Sequence, residues 1–302
     1  MRQQAQPNSQ QQPDAAEPAR APSDWNLVLP GQCQQPPAGA SKPAAKSKLP
    51  IALAVAPLAI LLGLTAVLAY ADVDRQVAQM YFGARAQPWP LADSQPWRQL
   101  YDIGCLPGLL LAAVCFVVAA AGVFTRRLRV TRFAALYIVL VFILGPGVII
   151  NGIFKPHWGR PRPRQTADFG GQLSYRPFWQ ATGDADCRSF PSGHASMGFF
   201  LMAPGFALLH RRRKTAVALL LTGLAAGTAI GAARVVQGGH FVTDVLWSAG
   251  FVYLVCIAIY PFYQWCLSLE ARWAAPPAAA TSTTLPFPAA APDAAQQRRR
   301  AA

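Results

Sequence analysis

Charge is what this chain has least of. Only 13% of its 302 residues are Asp, Glu, Lys or Arg, about half the share of a soluble domain. Acid is scarcer than base, with 13 Asp and Glu against 27 Lys and Arg, a formal net charge of +14. A basic balance can point to nucleic acid, but the basic face of a soluble domain is missing, so nucleic acid is not an expected partner. No C-x-x-C pair occurs: Cys33, Cys105, Cys115, Cys187, Cys256 and Cys266 are scattered, which argues against a zinc site or a disulfide framework. No apolar run lies near Met1, so a cleaved signal peptide is not expected. No internal repeat is visible either.

What the chain has instead is long apolar runs, in a composition that is 53% hydrophobic. A helix needs roughly 20 apolar residues to cross a hydrocarbon core. Runs over 51–71, 103–124, 133–154, 195–209, 215–233 and 241–263 predict six spans. The expected fold class is therefore all-α, a six-span transmembrane helical bundle with flexible N- and C-terminal tails. Residues 1–48 and 266–302 are predicted to be disordered cytoplasmic tails and 49–265 the membrane domain, because the Gln/Pro/Ala-rich ends hold too little apolar surface to offset ordering. Segment 72–100, mixed in charge and holding Trp89 and Trp97, reads as an interfacial loop with a short helix.

Lys42, Lys46 and Lys48 before the first run, Arg126, Arg127, Arg129 and Arg132 after the second, and Arg211 to Lys214 after the fourth set the expected orientation. Short basic loops stay cytoplasmic, which places both termini inside and 72–100, 155–194 and 234–240 outside. The stretch 155–188 breaks the rule with Lys155, Arg160, Arg162, Arg164, Arg176 and Arg188. Cations so placed suggest a need to hold anions there.

Three polar clusters then share one membrane face. The first is Lys155-x6-Arg162-Pro163. Arg can hold phosphate through two parallel hydrogen bonds and Lys adds a compact charge, although a basic patch drawn to anionic lipid heads reads the same way. The second, Pro191-Ser192-Gly193-His194, stands where a loop becomes a helix. Ser192 and Gly193 suit a helix start whose N–H groups face an anion, and His194 beside it could give up a proton. An ordinary N-cap next to an interfacial His is the bland alternative. The third is Arg234-x5-His240-x3-Asp244. Four residues apart on a helix, Asp244 can orient the His240 ring for attack, or the two can form a structural pair.

Together, K-x6-R-P, P-S-G-H and R-x5-H-x3-D in this order resemble the type 2 phosphatidic acid phosphatase superfamily, over roughly residues 50–265. The resemblance implies a metal-independent phosphatase without cofactor, with a lipid phosphate as substrate and the membrane as surroundings. It implies that His240 is a nucleophile forming a phosphohistidine, that Asp244 orients it and that His194 protonates the leaving group. Lys155, Arg162 and Arg234 would bind phosphate oxygens, aided by Ser192 and the Gly193 backbone. Ala233 stands where the family usually has Ser, removing a hydroxyl donor. The wording His157-Trp158-Gly159-Arg160-Pro161-Arg162-Pro163 with Phe169-Gly170-Gly171 looks like bacterial lipid phosphatases, including those acting on lipid A.

The alternatives are an undecaprenyl-diphosphate phosphatase, a vanadate-dependent haloperoxidase, which the spans argue against, and a non-enzymatic lipid-phosphate transporter or sensor. Trp158, Phe169, Tyr175, Phe178 and Trp179 read as a lipid entrance or an aromatic belt. His157 reads as interfacial, His210 as surface charge, and Asp184 with Asp186 as a solvated turn rather than a metal site. A disulfide between Cys105 and Cys187 is a further hypothesis.

Overall fold

A computed structural model describes residues 52–84 and 86–274. The lysines before the first run, Cys33, the predicted tail 1–48 and the part 275–302 of the predicted tail 266–302 lie outside the described residues. Among the described residues the structure is helical, with no strand and only two isolated bridges, Arg160 to Arg188 and Thr166 to Leu173.

Helix α1 (Ala52–Tyr70) carries a low-charge apolar run to Asp72, whose left-handed φ of 52° turns the chain into α2 (Val73–Tyr81). The two helices meet at a bend of 65°. Segment 72–100 ends in α3 (Trp97–Ile103), which continues through Gly104 and Cys105 into α4 (Leu106–Phe124). Helix α5 (Arg129–Phe142) widens into π-helical turns over Ile143–Phe154 around Pro146 and closes with α6 (Lys155–His157). After the ordered loop 158–192 come α7 (Gly193–Phe200), α8 (Ala203–Leu208), α9 (Arg213–Val236) and α10 (Val242–Ala274).

The expected count of six spans is not what the helices give. Four are long and apolar enough to cross a membrane: Trp97–Phe124, Thr131–His157, Arg213–Val236 and Val242–Arg272. The bent pair Val55–Tyr70 with Val73–Tyr81 makes up to five. The predicted run 195–209 breaks at Leu201 and Met202 into two short helices. Pro204 explains the break, because proline has no N–H and its ring obstructs the preceding turn. A second correction concerns 266–274, assigned above to a disordered tail. These residues are the last turns of α10, where Glu270 pairs with Arg132 at 2.9 Å and Arg129 at 3.4 Å.

The short helices α7 and α8 form the centre. Ala195, Phe199, Phe200, Ala203 and Phe206 are buried against Tyr137 and Val141 of α5 and Val252, Cys256 and Tyr260 of α10. Glycine lets α9 come close: a Cβ on Gly198 would lie 2.6 Å from the Gly227 Cα, and one on Gly227 would run into the Phe199 ring. Small residues at helix crossings are how helices pack in lipid, where hydrophobic burial gives little. Outward, Ile60, Leu62 and Val67 of α1 and Leu110, Phe116 and Val117 of α4 are exposed. So much apolar surface is at home against acyl chains rather than water.

Candidate active site

Helix α5 starts with Arg129 and its continuation ends in the turn Lys155–His157, so Lys155 sits at the opposite end from the Glu270 ion pairs. At that end the three polar clusters meet. The N-terminus of α7 is capped by Ser192, whose Oγ accepts from the Ala195 N–H at 3.4 Å. Its amides are therefore a ready anion site. Lys155 stands at this terminus: a Cβ on Gly193 would lie 2.9 Å from the Lys155 Nζ and 2.7 Å from the Asn151 Oδ1. Only a glycine admits the ammonium so close to the backbone.

The third cluster leans on the second. The Ser192 N–H donates to the Asp244 carbonyl at 3.2 Å, and the Ser248 hydroxyl donates to the carbonyls of Ser192 and Asp244 at 2.9 and 2.7 Å. The His194 ring stacks on Tyr101, with centroids 4.9 Å apart, and Arg234 lies over the same Tyr101 ring at 4.5 Å. Arg234 bonds the Gln237 side chain, whose amide donates to the carbonyls of Ala92 and Trp97 at 3.0 and 3.3 Å. Gly239 passes so near that a Cβ there would lie 2.8 Å from the Arg234 Cζ. Lys155, Arg162 and Arg234 all act electrostatically on the His194 ring, and Arg234 and Lys155 act on His240 as well. Two of the three cations thus act on both imidazoles, and Arg162 on His194.

His240 is fully buried, with its Nδ1 3.5 Å from the Asp244 Oδ2, longer than a hydrogen bond, and with no other partner for that nitrogen. Burial lowers the imidazole to about 4; the Asp244 carboxylate pulls upward, and Arg234 and Lys155 push down. At neutral pH the ring is uncharged, with one nitrogen free to act as a nucleophile. Burial and the neighbouring Arg164 likewise lower Arg162, the more solvent-facing member of the cluster. Ala233 is fully buried.

Asp244 has partners that the spacing of motifs did not suggest. Its Oδ2 accepts from the Ser189 hydroxyl at 2.6 Å and the Phe241 N–H at 2.9 Å, and its Oδ1 accepts from Arg160. Arg160 is fully buried and also donates to Asp74 at 2.7 Å, Thr243 at 2.8 Å and the Arg176 carbonyl at 2.9 Å. Burial opposes its charge, yet the Asp244 and Asp74 carboxylates outweigh burial and hold the guanidinium above its ordinary value. Arg160, Asp74, Tyr101 and Trp89 were all missed. The one signal for Arg160 was its position in Gly159-Arg160-Pro161 inside the first motif; for Asp74, an acid just past an apolar run.

Several expectations change. Of the five loop aromatics only Trp179 is exposed. Trp158 and Phe178 join Phe154, Phe190, Trp247 and Phe251 in one stack of rings, while Phe169 and Tyr175 pack with Phe82, Trp89 and Phe241. They pack the inside of the loop, and Tyr175, Phe178 and Trp179 also line a cavity with Leu68 and Ala69 of α1. His157 is exposed, with Nδ1 2.8 Å from the Ile153 carbonyl, and takes no part in the cluster. His210 is exposed beside Tyr260, at 5.9 Å between ring centroids. Asp184 accepts from the Asp186 N–H at 3.0 Å, closing a solvent-exposed turn. Cys105 and Cys187 are both free thiols; Cys187 donates to Asp184 at 3.2 Å, and burial beside that carboxylate pushes it up to about 11.

An apolar helical bundle gathering cations and neutral imidazoles at one mouth defines a multi-span membrane protein suited to holding a phosphate-like anion. Residues 134–268 match the PAP2 superfamily. A lipid A 4'-phosphatase of Francisella tularensis subsp. novicida is 38% identical over 130 residues, which cover 43% of this chain and 58% of that protein. Lipid A 4'-phosphatases of Rhizobium leguminosarum and Rhizobium etli are 36% and 35% identical, each over 34% of this chain and over 44% and 39% of their own lengths. The match thus spans little more than half of the Francisella relative and less of the others. No solved structure matches the chain.

Proposed function

We propose that this chain is an integral-membrane phosphatase of the bacterial inner membrane that removes a phosphate monoester from a lipid A-type glycolipid through a phosphohistidine. The observation that carries the reading is the meeting of Lys155, Arg234, His194 and His240 at the capped start of α7, within a PAP2 superfamily segment. The names of the relatives favour lipid A among the possible lipids.

The substrate phosphate sits among Lys155, Arg162 and Arg234, with the α7 amides at Gly193 and His194 completing its shell. These groups neutralise the equatorial oxygens as charge shifts in the transition state. His240 attacks phosphorus through Nε2, while its Nδ1–H turns to Asp244, a contact that tightens from its present 3.5 Å once an anion is bound. The negative charge of the bound phosphate favours the protonated form of His194, and that imidazolium gives its proton to the departing sugar oxygen as the P–O bond breaks. The neutral His194 then takes a proton from water, whose oxygen attacks the phosphohistidine and releases inorganic phosphate.

The chain crosses the membrane six times in this reading, with α7 and α8 together as the buried fourth crossing. Both termini are cytoplasmic and the site opens to the periplasm. The basic ends of α4 and α5 on the far side support that orientation. Phosphate release by the purified protein from lipid A, phosphatidate and undecaprenyl diphosphate tests the reading. Lipid A is expected to be the best of the three, and His240→Ala inactive on all. Preferential turnover of undecaprenyl diphosphate would transfer the assignment to the lipid-carrier reaction; phosphate release by His240→Ala at the wild-type rate would reject the nucleophile.

A further inference from the structure

The carboxylate facing His240 is itself held from outside the family segment. Asp74 belongs to α2, well before residue 134, yet both of its oxygens are used at the start of α10. Its Oδ1 accepts from the Thr243 N–H at 2.9 Å, and its Oδ2 accepts from the Thr243 hydroxyl at 2.5 Å and from Arg160 at 2.7 Å. Asp74 therefore caps the helix whose first turn carries Asp244, in the position where a carboxylate best satisfies free amides. Arg160 bridges the two acids with separate nitrogens, Nη1 to Asp244 and Nη2 to Asp74. Its guanidinium carbon also lies over the Phe241 ring, 4.5 Å from the centroid. With Oδ1 given to Arg160, the other Asp244 oxygen is the one turned to His240.

We propose that Asp74 and Arg160 are positioning residues for the nucleophile: Asp74 fixes Arg160, Arg160 fixes the plane of Asp244, and together the three set the charge behind the imidazole. The proposal rests on the phosphohistidine reading above. One guanidinium between two carboxylates leaves one net negative charge. His240 needs that charge when phosphorylation makes its ring cationic. The other charged groups facing His240, Arg234 from α9 and Lys155 from the end of the α5 continuation, are cations and cannot supply it. Arg75, next to Asp74, turns away and pairs with Asp72 at 2.8 Å.

Charge-changing variants give opposite signs. Asp74→Asn makes the trio neutral: kcat on lipid A in detergent micelles is expected to fall on the order of tenfold through loss of one nearby charge, with KM little changed. The acid limb of kcat/KM should move down by roughly one pH unit. Arg160→Gln leaves two negative charges, and the limb should move up. The double variant Asp74→Asn with Arg160→Gln restores one negative charge, and its limb should return close to that of the wild type. Thr243→Val cuts a hydroxyl out of the network without changing charge; it should lower thermal stability and leave the limb in place. Limbs that stay fixed in both single variants, or move in the same direction, would overturn the proposal, as would a Thr243→Val shift equal to that of Asp74→Asn. His240→Ala keeps the two levels apart. Turnover by His240→Ala sinks the phosphohistidine reading. An inactive His240→Ala beside an Asp74→Asn enzyme with wild-type kcat and limb sinks only the positioning role.

Discussion

Replacing Gly238 by Ala puts the loop that carries His240 under a load that the structure allows to be worked out. Gly238 has a φ of +60° and lies against the Trp89 ring, so a Cβ there would run into three of the indole carbons. The left-handed backbone alone costs about 1–2 kcal/mol for a residue with a Cβ. Overpacking against a ring adds about 1–3 kcal/mol. Trp89 has little room to retreat, because it is wedged against Phe82 and Phe169 at centroid distances of 6.0 and 5.9 Å. The sum, about 2–5 kcal/mol, appears either as lost stability or as a displaced loop. In the second case His240, two residues on, moves from its line of attack, and an ångström of misplacement costs roughly a hundredfold in rate. Thermal unfolding in detergent and phosphate release from lipid A measure the two together. In a Trp89→Ala background the overpacking disappears, and Gly238→Ala should cost only about 1–2 kcal/mol. Wild-type stability and turnover in Gly238→Ala, or an equal cost in both backgrounds, would refute the reasoning.

His240 titrates near 4 when folded, against about 6.5 in an unfolded chain. Its pKa is depressed, so the unfolded state binds the proton first: stability held above about pH 6.5 is lost as pH falls through about 4. Melting temperatures in detergent should drop across that window and drop less in His240→Gln; identical profiles would contradict the assignment. His194→Ala should lose about 10²–10⁴-fold on lipid A but far less on an aryl phosphate, whose leaving group needs no proton, and equal losses would exclude His194 as the acid. Arg234→Gln should weaken inhibition by inorganic phosphate by roughly 10–100-fold, the worth of a charged hydrogen bond; unchanged inhibition would remove Arg234 from the phosphate shell.

How much of this was legible in the sequence depended on the range of the interaction. Lys155, Arg162, His194, Arg234 and His240 stand out because polar groups between apolar runs are few, and their order along the chain is itself informative. Arg160 stands among them in the same motif and was passed over as one more loop cation. Its partners Asp74 and Asp244 are 86 and 84 residues away, beyond the reach of any local spacing. Tyr101 and Trp89 are hidden for the same reason: an aromatic ring at an interface looks alike whether it faces lipid or stacks on a guanidinium. The span count was legible only in part. Hydropathy alone registers the apolar run at 195–209 but not that Pro204 splits it, and it gives no warning that Asp72 turns α1 into α2. The extra turns of α10 depend on Glu270 meeting Arg129 and Arg132, a pairing between distant helices.

The central claim is that the His240 ring bonds to phosphorus. Rapid acid-free quenching of the enzyme with lipid A labelled in its phosphate, followed by peptide mass spectrometry, looks for that bond directly. The account predicts a phosphoryl group on the peptide containing His240, stable to alkali, lost in acid and absent from His240→Ala. Turnover without any phosphorylated His240, under conditions that trap the intermediate in His194→Ala, would contradict it.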